Sequence, residues 1–220
     1  MRIYIESTIP SYVVARPARE LLQAARQQLT RDWWDSKREA HELFTSQVVL
    51  DEIAFGEKEM AERRLHLVEG MPLLQVTAEV KELAGKVLSS GLLPLTADRD
   101  ATHIALASAY ELDILLTWNC RHIANPMIQQ RLRRWFRQPV SRFRSFVRRK
   151  NCWKAKMSKV TKRETKTQRG DLVLQEVWRA KYTLSAGYGH DLDKLFEETR
   201  KREKLSGHPL ANLPIKRREV

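Results

Sequence analysis

Four oxygen-bearing side chains stand where a chemical site could be assembled from distant parts of the chain: Glu6, Glu52, Asp100 and Asn119. Glu6 ends the β-branched and aromatic run Ile3-Tyr4-Ile5, and Asn119 falls just past the apolar run Ile114-Leu115-Leu116-Thr117. Glu52 follows Phe44-Thr45-Ser46 at helical spacing, and Asp100 lies in the first turn of a helix that precedes the Ile114 run. In a parallel α/β sheet, ligands bind beyond the carboxyl ends of the strands, so these four side chains are candidates to converge on one cleft. Oxygen donors of this kind suit Mg²⁺ or Mn²⁺, not zinc. Carboxylates that hold such an ion can orient and deprotonate a water for attack on a phosphodiester. Each position taken alone is weak, because an isolated Asp or Glu is usually a solvated surface residue. Asp98 and Asp100 read equally well as charges on the N-terminal dipole of a helix.

The elements that must position these residues follow from periodicity. Ile3-Tyr4-Ile5 reads as a buried first strand and Phe44-Thr45-Ser46 as the start of a second. Leu73-Leu74-Gln75-Val76 reads as a third strand and Ile114 to Thr117 as a fourth. Helices are expected over Leu21 to Ala40, from Val48 to near Phe55-Gly56, over Glu57 to Glu69, from Thr77 onward, and over Asp98 to Tyr110. Strands that are nearly all apolar and alternate with helices indicate a parallel sheet covered on both faces. Further on, Asp171 to Ala186 and Asp191 to Leu205 read as two amphipathic helices separated by Gly187-Tyr188-Gly189. Two short helices cannot enclose a core, so they need a partner surface.

Composition bounds the rest. The chain has 220 residues, 42% of them hydrophobic and 30% charged, with a formal net charge of +13. That balance fits a globular chain rather than a wholly disordered one. No apolar run reaches the roughly 18–20 residues of a membrane helix. The N-terminal residues lack the apolar core and cleavage site of a secretory signal. The two cysteines, Cys120 and Cys152, cannot form a disulfide framework. The expectation is a cytoplasmic protein. The positive charge is uneven: residues 1–130 hold 14 Lys and Arg against 18 Asp and Glu, and residues 131–220 hold 26 against 9.

Four blocks together carry a family resemblance: residues Ile3 to Ser11, Thr45 to Ile53, Asp100 to Ala107, and Leu115 to Asn125. In order and spacing they resemble PIN-domain proteins of the VapC toxin type, over residues 1 to about 130. The resemblance implies an α/β PIN-like parallel sheet flanked by helices and a Mg²⁺-dependent endoribonuclease, with Mn²⁺ as an alternative ion. It puts Glu6, Glu52 and Asp100 at the metal-binding acidic positions. Asn119 stands where many such domains carry a fourth acid, and Glu6 replaces the commoner Asp. The implied partners are an RNA substrate and a cognate antitoxin, with a homodimer possible. Among the neighbours, Ser7 is a candidate to hydrogen-bond a metal-bound water or simply a turn residue. His103 reads as a satisfied helix histidine, His122 is ambiguous, and Trp33, Trp34 and Trp118 read as buried packing.

The later chain divides into a basic irregular segment, 131–170, and a two-helix tail, 171–220. Asp171 to Arg179 and Tyr188 to Glu198, ending in Asn212-Leu213-Pro214, resemble small antitoxin-like proteins encoded beside such PIN genes. The tail is therefore an alternative to a separate antitoxin, and a self-inhibited or silent fusion is an alternative to an active nuclease. Permitted codons for Phe143 to Met157, read from the third base of Phe143, can spell P-V-I-C-T-P-E-E-L-L-E-G-E-N. That peptide matches the closing strand expected of this PIN subgroup. A frameshift near residues 131–138 would explain both the missing strand and the run of basic residues. The rival reading is an RNA-binding arm whose Arg and Lys neutralise phosphates while its aromatics stack on bases. The gene's codons for residues 131–157 decide between them: the frameshift expects the alternative peptide in the shifted frame, and codons unable to encode it return the segment to an RNA-binding arm.

Overall fold

A computed structural model of the chain describes residues 1–135 and 171–215. Most of the segment 131–170, with its frameshift and RNA-arm readings, lies outside the described residues. Strand β1 (Arg2–Ile5) leads into α1 (Thr8–Val14) and α2 (Leu21–Lys37). Strand β2 (Glu42–Phe44), α3 (Gln47–Ile53), α4 (Lys58–Leu67), α5 (Ala78–Ser89) and α6 (Asp98–Ala109) follow, then β3 (Ile114–Leu116) and α7 (Pro126–Trp135). The tail contributes α8 (Leu172–Gly187) and α9 (Leu192–Leu205). The last turn of the long second helix, Arg38–Ala40, tightens to 3-10. Helix α7 runs through residue 131, where composition alone begins the basic segment.

The three strands form a parallel sheet in the order β2-β1-β3, with Tyr4 opposite both Phe44 and Leu115. Side chains alternate along a strand, and β1 uses both faces. Tyr4 packs into a core with α3, α5 and α6, whereas Ile3 and Ile5 pack into a second core with α1 and Trp34. Helices on both sides bury the central strand, as its unbroken apolar run requires.

Two strand expectations need correction. The second strand ends at Phe44 rather than running into Ser46, because Ser46 caps α3 and its hydroxyl accepts from Val49 N at 3.4 Å. The expected strand over Leu73 to Val76 contracts to one residue, Leu73, which makes two isolated bridges. Side chains take the backbone groups that a ladder would use. Tyr110 Oη donates to Gln75 O and accepts from Gln75 N, and Val76 N donates to Glu203 Oε1 at 2.9 Å. Val76 O accepts from Arg200 Nε at 2.7 Å.

The tail completes this body. Leu73 bridges Thr45 on one side and Leu210 on the other, with Leu73 N donating to Pro209 O and Ala211 N to Leu73 O, each at 2.8 Å. Leu195 and Phe196 of α9 enter the first core, and Val173 and Leu174 of α8 enter the second. Asp171 and Asp191 cap the two helices, accepting from Leu174 N and from Asp193 N respectively. The partner surface that the two amphipathic helices need is thus supplied within the chain.

One contact makes this docking depend on pH. Burial pushes the Glu203 carboxyl up to about 7, against the opposing pull of Val76 N–H and Arg200 and with Asp51 nearby. A docked tail therefore holds the Glu203 proton more tightly than a released one. Docking is strongest below the ordinary glutamate range and weakens as pH rises through about 7. Amide exchange across Leu192–Leu205 should accordingly be faster at pH 8 than at pH 5.5, after correction for intrinsic rates. The Glu203→Gln variant should flatten that difference, and an unchanged pH dependence in the variant would rule Glu203 out as its source.

Candidate functional site

Three carboxylates and one amide reach the same buried place from four elements. Glu6 lies one residue past β1, and its backbone N–H still donates to Leu116 O at 3.2 Å. Ser7 Oγ donates to Glu6 Oε1 at 2.9 Å, and Thr8 Oγ1 and Thr117 Oγ1 donate to Oε2 at 2.5 and 2.8 Å. These neighbours lock the carboxylate at the strand end and leave Oε1 facing inward. Glu52 is carried by α3 and held by Arg99 Nε at 2.8 Å, with His103 Nε2 at 3.1 and 3.2 Å from its two oxygens. The other ring nitrogen of His103 meets Tyr4 Oη at 2.7 Å, and Tyr4 Oη meets Ser46 Oγ at 2.6 Å. Donation from Nε2 to Glu52 leaves Nδ1 to accept from the Tyr4 hydroxyl.

Asp100 stands in the first turn of α6. Its Oδ1 accepts from Asn119 Nδ2 at 3.1 Å, and its Oδ2 accepts from His122 Nδ1 at 2.6 Å. Asn119 Oδ1 in turn accepts from His122 N at 3.2 Å. Asn119 therefore braces Asp100 from the end of β3. All four residues singled out in the sequence come together, and each is at most 4% exposed.

The group that joins the three acids was not foreseen. Lys181 of α8 places its ammonium 2.7 Å from Glu6 Oε1, 2.7 Å from Asp100 Oδ1 and 3.5 Å from Glu52 Oε2. Burial alone would raise these carboxyls, but the Lys181 charge beside them overrides it. Glu6, Glu52 and Asp100 all fall below the ordinary carboxylate range. His103 and Arg99 add to the effect on Glu52, and His122 adds to it on Asp100. Burial would likewise strip the proton from Lys181, yet Asp100, Glu52 and Glu6 raise its pKa instead. A faint signal for this residue exists in the sequence. Leu174, Val177 and Lys181 share the buried stripe of α8, so a lysine sits where an apolar residue belongs.

A cation-binding place is therefore defined by its present occupant. Oxygens from Glu6, Glu52 and Asp100 surround one positive charge, the donor set that a hard divalent ion takes. Glu6, Glu52 and His103 also offer ligand atoms all within 4.8 Å of one another, so this buried group could hold a metal ion. Of the neighbours weighed in the sequence, His103 is bonded on both sides, Ser7 bonds Glu6, and Trp34 and Trp118 are buried, whereas Trp33, expected to be buried as well, is only half-buried. No family model, curated protein or solved structure matches the chain. Among the described residues, no helix is long and apolar enough to cross a membrane.

Replacing Lys181 by Met leaves three carboxylates facing one another without their shared cation. Loss of one partner from a buried ionic cluster costs about 3–5 kcal/mol, and denaturant unfolding without divalent ions should show a loss of that size. Added Mg²⁺ or Mn²⁺ should restore part of it. A variant as stable as the parent would mean that the three acids do not depend on this charge.

Proposed function

We propose that the chain is a divalent-metal-dependent endoribonuclease of the PIN-domain, VapC toxin type, with Glu6, Glu52 and Asp100 as ligands for Mg²⁺ or Mn²⁺. The observation that carries this reading is the convergence of the three carboxylates on one cation near the carboxyl ends of β1 and β3, with Asp100 braced by Asn119. When bound, the ion supplies charge to a phosphodiester oxygen and acidifies a coordinated water.

The protein's own groups provide positioning. Ser7, Thr8 and Thr117 fix Glu6; Arg99 and His103 fix Glu52; His122 and Asn119 fix Asp100. With Lys181 in place the three carboxylates are held below their ordinary range and stay ionised at neutral pH, the form in which they can exchange that ammonium for a metal ion. RNA is the proposed substrate.

A second reading concerns the state of the site rather than its class: a toxin–antitoxin fusion closed by its own tail. Lys181 favours it, because the ammonium takes the carboxylate oxygens that a metal ion needs. Metal binding and tail release are then one exchange.

Cleavage assays on the full chain separate the possibilities. The parent should cut RNA slowly in Mg²⁺ or Mn²⁺, and Lys181→Ala should cut at least about tenfold faster, since about 3 kcal/mol of docking energy is removed. EDTA, or Asp100→Asn added to that variant, should abolish cleavage. A parent as fast as Lys181→Ala would overturn the closed state and leave the nuclease standing. A folded Lys181→Ala protein inactive with either ion, like its parent, would overturn the nuclease.

A further inference from the structure

The ion pairs that seat α8 are not confined to Lys181. Tyr12 Oη of α1 and Arg26 Nη1 of α2 both donate to the same oxygen of Asp171, the guanidinium at 2.9 Å. Arg64 Nη1 of α4 donates to Glu176 Oε1 at 2.8 Å. The tail thus presents two carboxylates and one ammonium, and the body answers with two guanidinium groups and a carboxylate cluster. With the tail taken away, the surface that α8 covers carries a cation-binding acidic cluster and two arginines, Arg26 and Arg64.

From this pattern we propose that the groove filled by α8 is the track for a single RNA strand. Arg26 with Tyr12, and Arg64 beside Gly56, are its phosphate contacts, and Asp171 and Glu176 stand where phosphates go. The proposal rests on the ribonuclease reading for its substrate, but its geometry is independent of the metal.

Each arginine contact is built to hold an anion. Arg64 has a nearly buried side chain, and two of its guanidinium nitrogens are tied to backbone carbonyls: Nε to Ile53 O at 2.9 Å and Nη2 to Phe55 O at 2.6 Å. Those bonds lie within the body, so Nη1 keeps its aim whether the tail is present or not. The Glu176 carboxylate rests against bare backbone, for a Cβ at Gly56 would lie 2.6 Å from its Oε1. Gly56 has φ +100°, a conformation that favours glycine, so no side chain of its own competes with an anion there. At the other contact, the Arg26 guanidinium lies 5.6 Å from the centre of the Trp118 ring. Trp118 immediately precedes Asn119, so this anion contact adjoins the acidic cluster in the chain. Two donors of different type meeting on one oxygen resemble the way Arg and Tyr hold phosphate.

The test uses the full chain with Asp171, Glu176 and Lys181 changed to Ala, which strips the tail of the charges that fill the groove. A short fluorescein-labelled single-stranded RNA of mixed sequence is the probe, in EDTA so that nothing is cut. In this background, Arg26→Gln and Arg64→Gln should each weaken binding about tenfold, the effect of a lost charge-assisted hydrogen bond. Each should also lower the slope of log affinity against log salt by about 0.7, the share of one phosphate on a single strand. Arg26→Lys should keep that slope, and Tyr12→Phe should weaken binding without changing it. Because Arg64→Gln frees two buried carbonyls and is prone to unfold, Arg64→Lys and thermal melts accompany it. Unchanged affinity and slope in folded Arg26 and Arg64 variants would overturn the proposal even if the background protein cleaves RNA. Loss of affinity and slope in a background that cleaves nothing with Mg²⁺ or Mn²⁺ would uphold the groove and overturn the nuclease.

Discussion

The ammonium of Lys181 among three carboxylates is the contact on which the rest of the structure depends. Glu6, Glu52 and Asp100 come from the end of β1, from α3 and from α6, and all three are buried. Like charges gathered away from water cannot all stay ionised unless a cation stands between them. In this chain the cation arrives from a helix 175 residues after Glu6. The integrity of the acidic cluster and the docking of the tail are therefore one event. Arg99 and His122 help Glu52 and Asp100 from the side, but neither contacts all three acids as Lys181 does.

Apolar burial and ion pairs divide the work of seating the tail. Leu174, Leu195 and Phe196 are almost fully buried, and each contributes about 1.5–3 kcal/mol when removed from water. Such contacts are non-directional and would tolerate a shifted helix. Register comes from the polar set: Asp171 on Tyr12 and Arg26, Glu176 on Arg64, and Arg202 on Asp51 at 3.0 and 2.9 Å. A slip of one residue along α8 would turn Lys181 by about 100° away from the acids. The pairing of Leu210 with Leu73 then carries the sheet beyond Thr45 with backbone bonds that no side-chain pattern announces.

Much of the site was legible because its residues obey local rules. Ile3-Tyr4-Ile5 is apolar on both faces, as a central parallel strand must be, and this put Glu6 at a strand end. Thr77, Asp171 and Asp191 open the expected helices and do cap them, whereas Ser46, read as strand, caps α3. The Leu73 to Val76 run read as a strand from its composition, yet Glu203, Arg200 and Tyr110 claim the backbone of Gln75 and Val76. Residues 35 to 127 positions away from that run decided its conformation, and no local window contains them.

By itself the amino-acid sequence determined which residue types lie at strand ends and helix starts, and therefore that Glu6, Glu52, Asp100 and Asn119 could meet. It also determined that the two tail helices carry apolar faces too small to stand alone. Only the tertiary structure decided what those faces cover, and that a lysine on one of them neutralises the acids. The reason is physical. Strand ends and caps are set by interactions within a few residues, which periodicity records. A buried charge is tolerated only by a partner in space, and the partner here is separated from its acids by most of the chain.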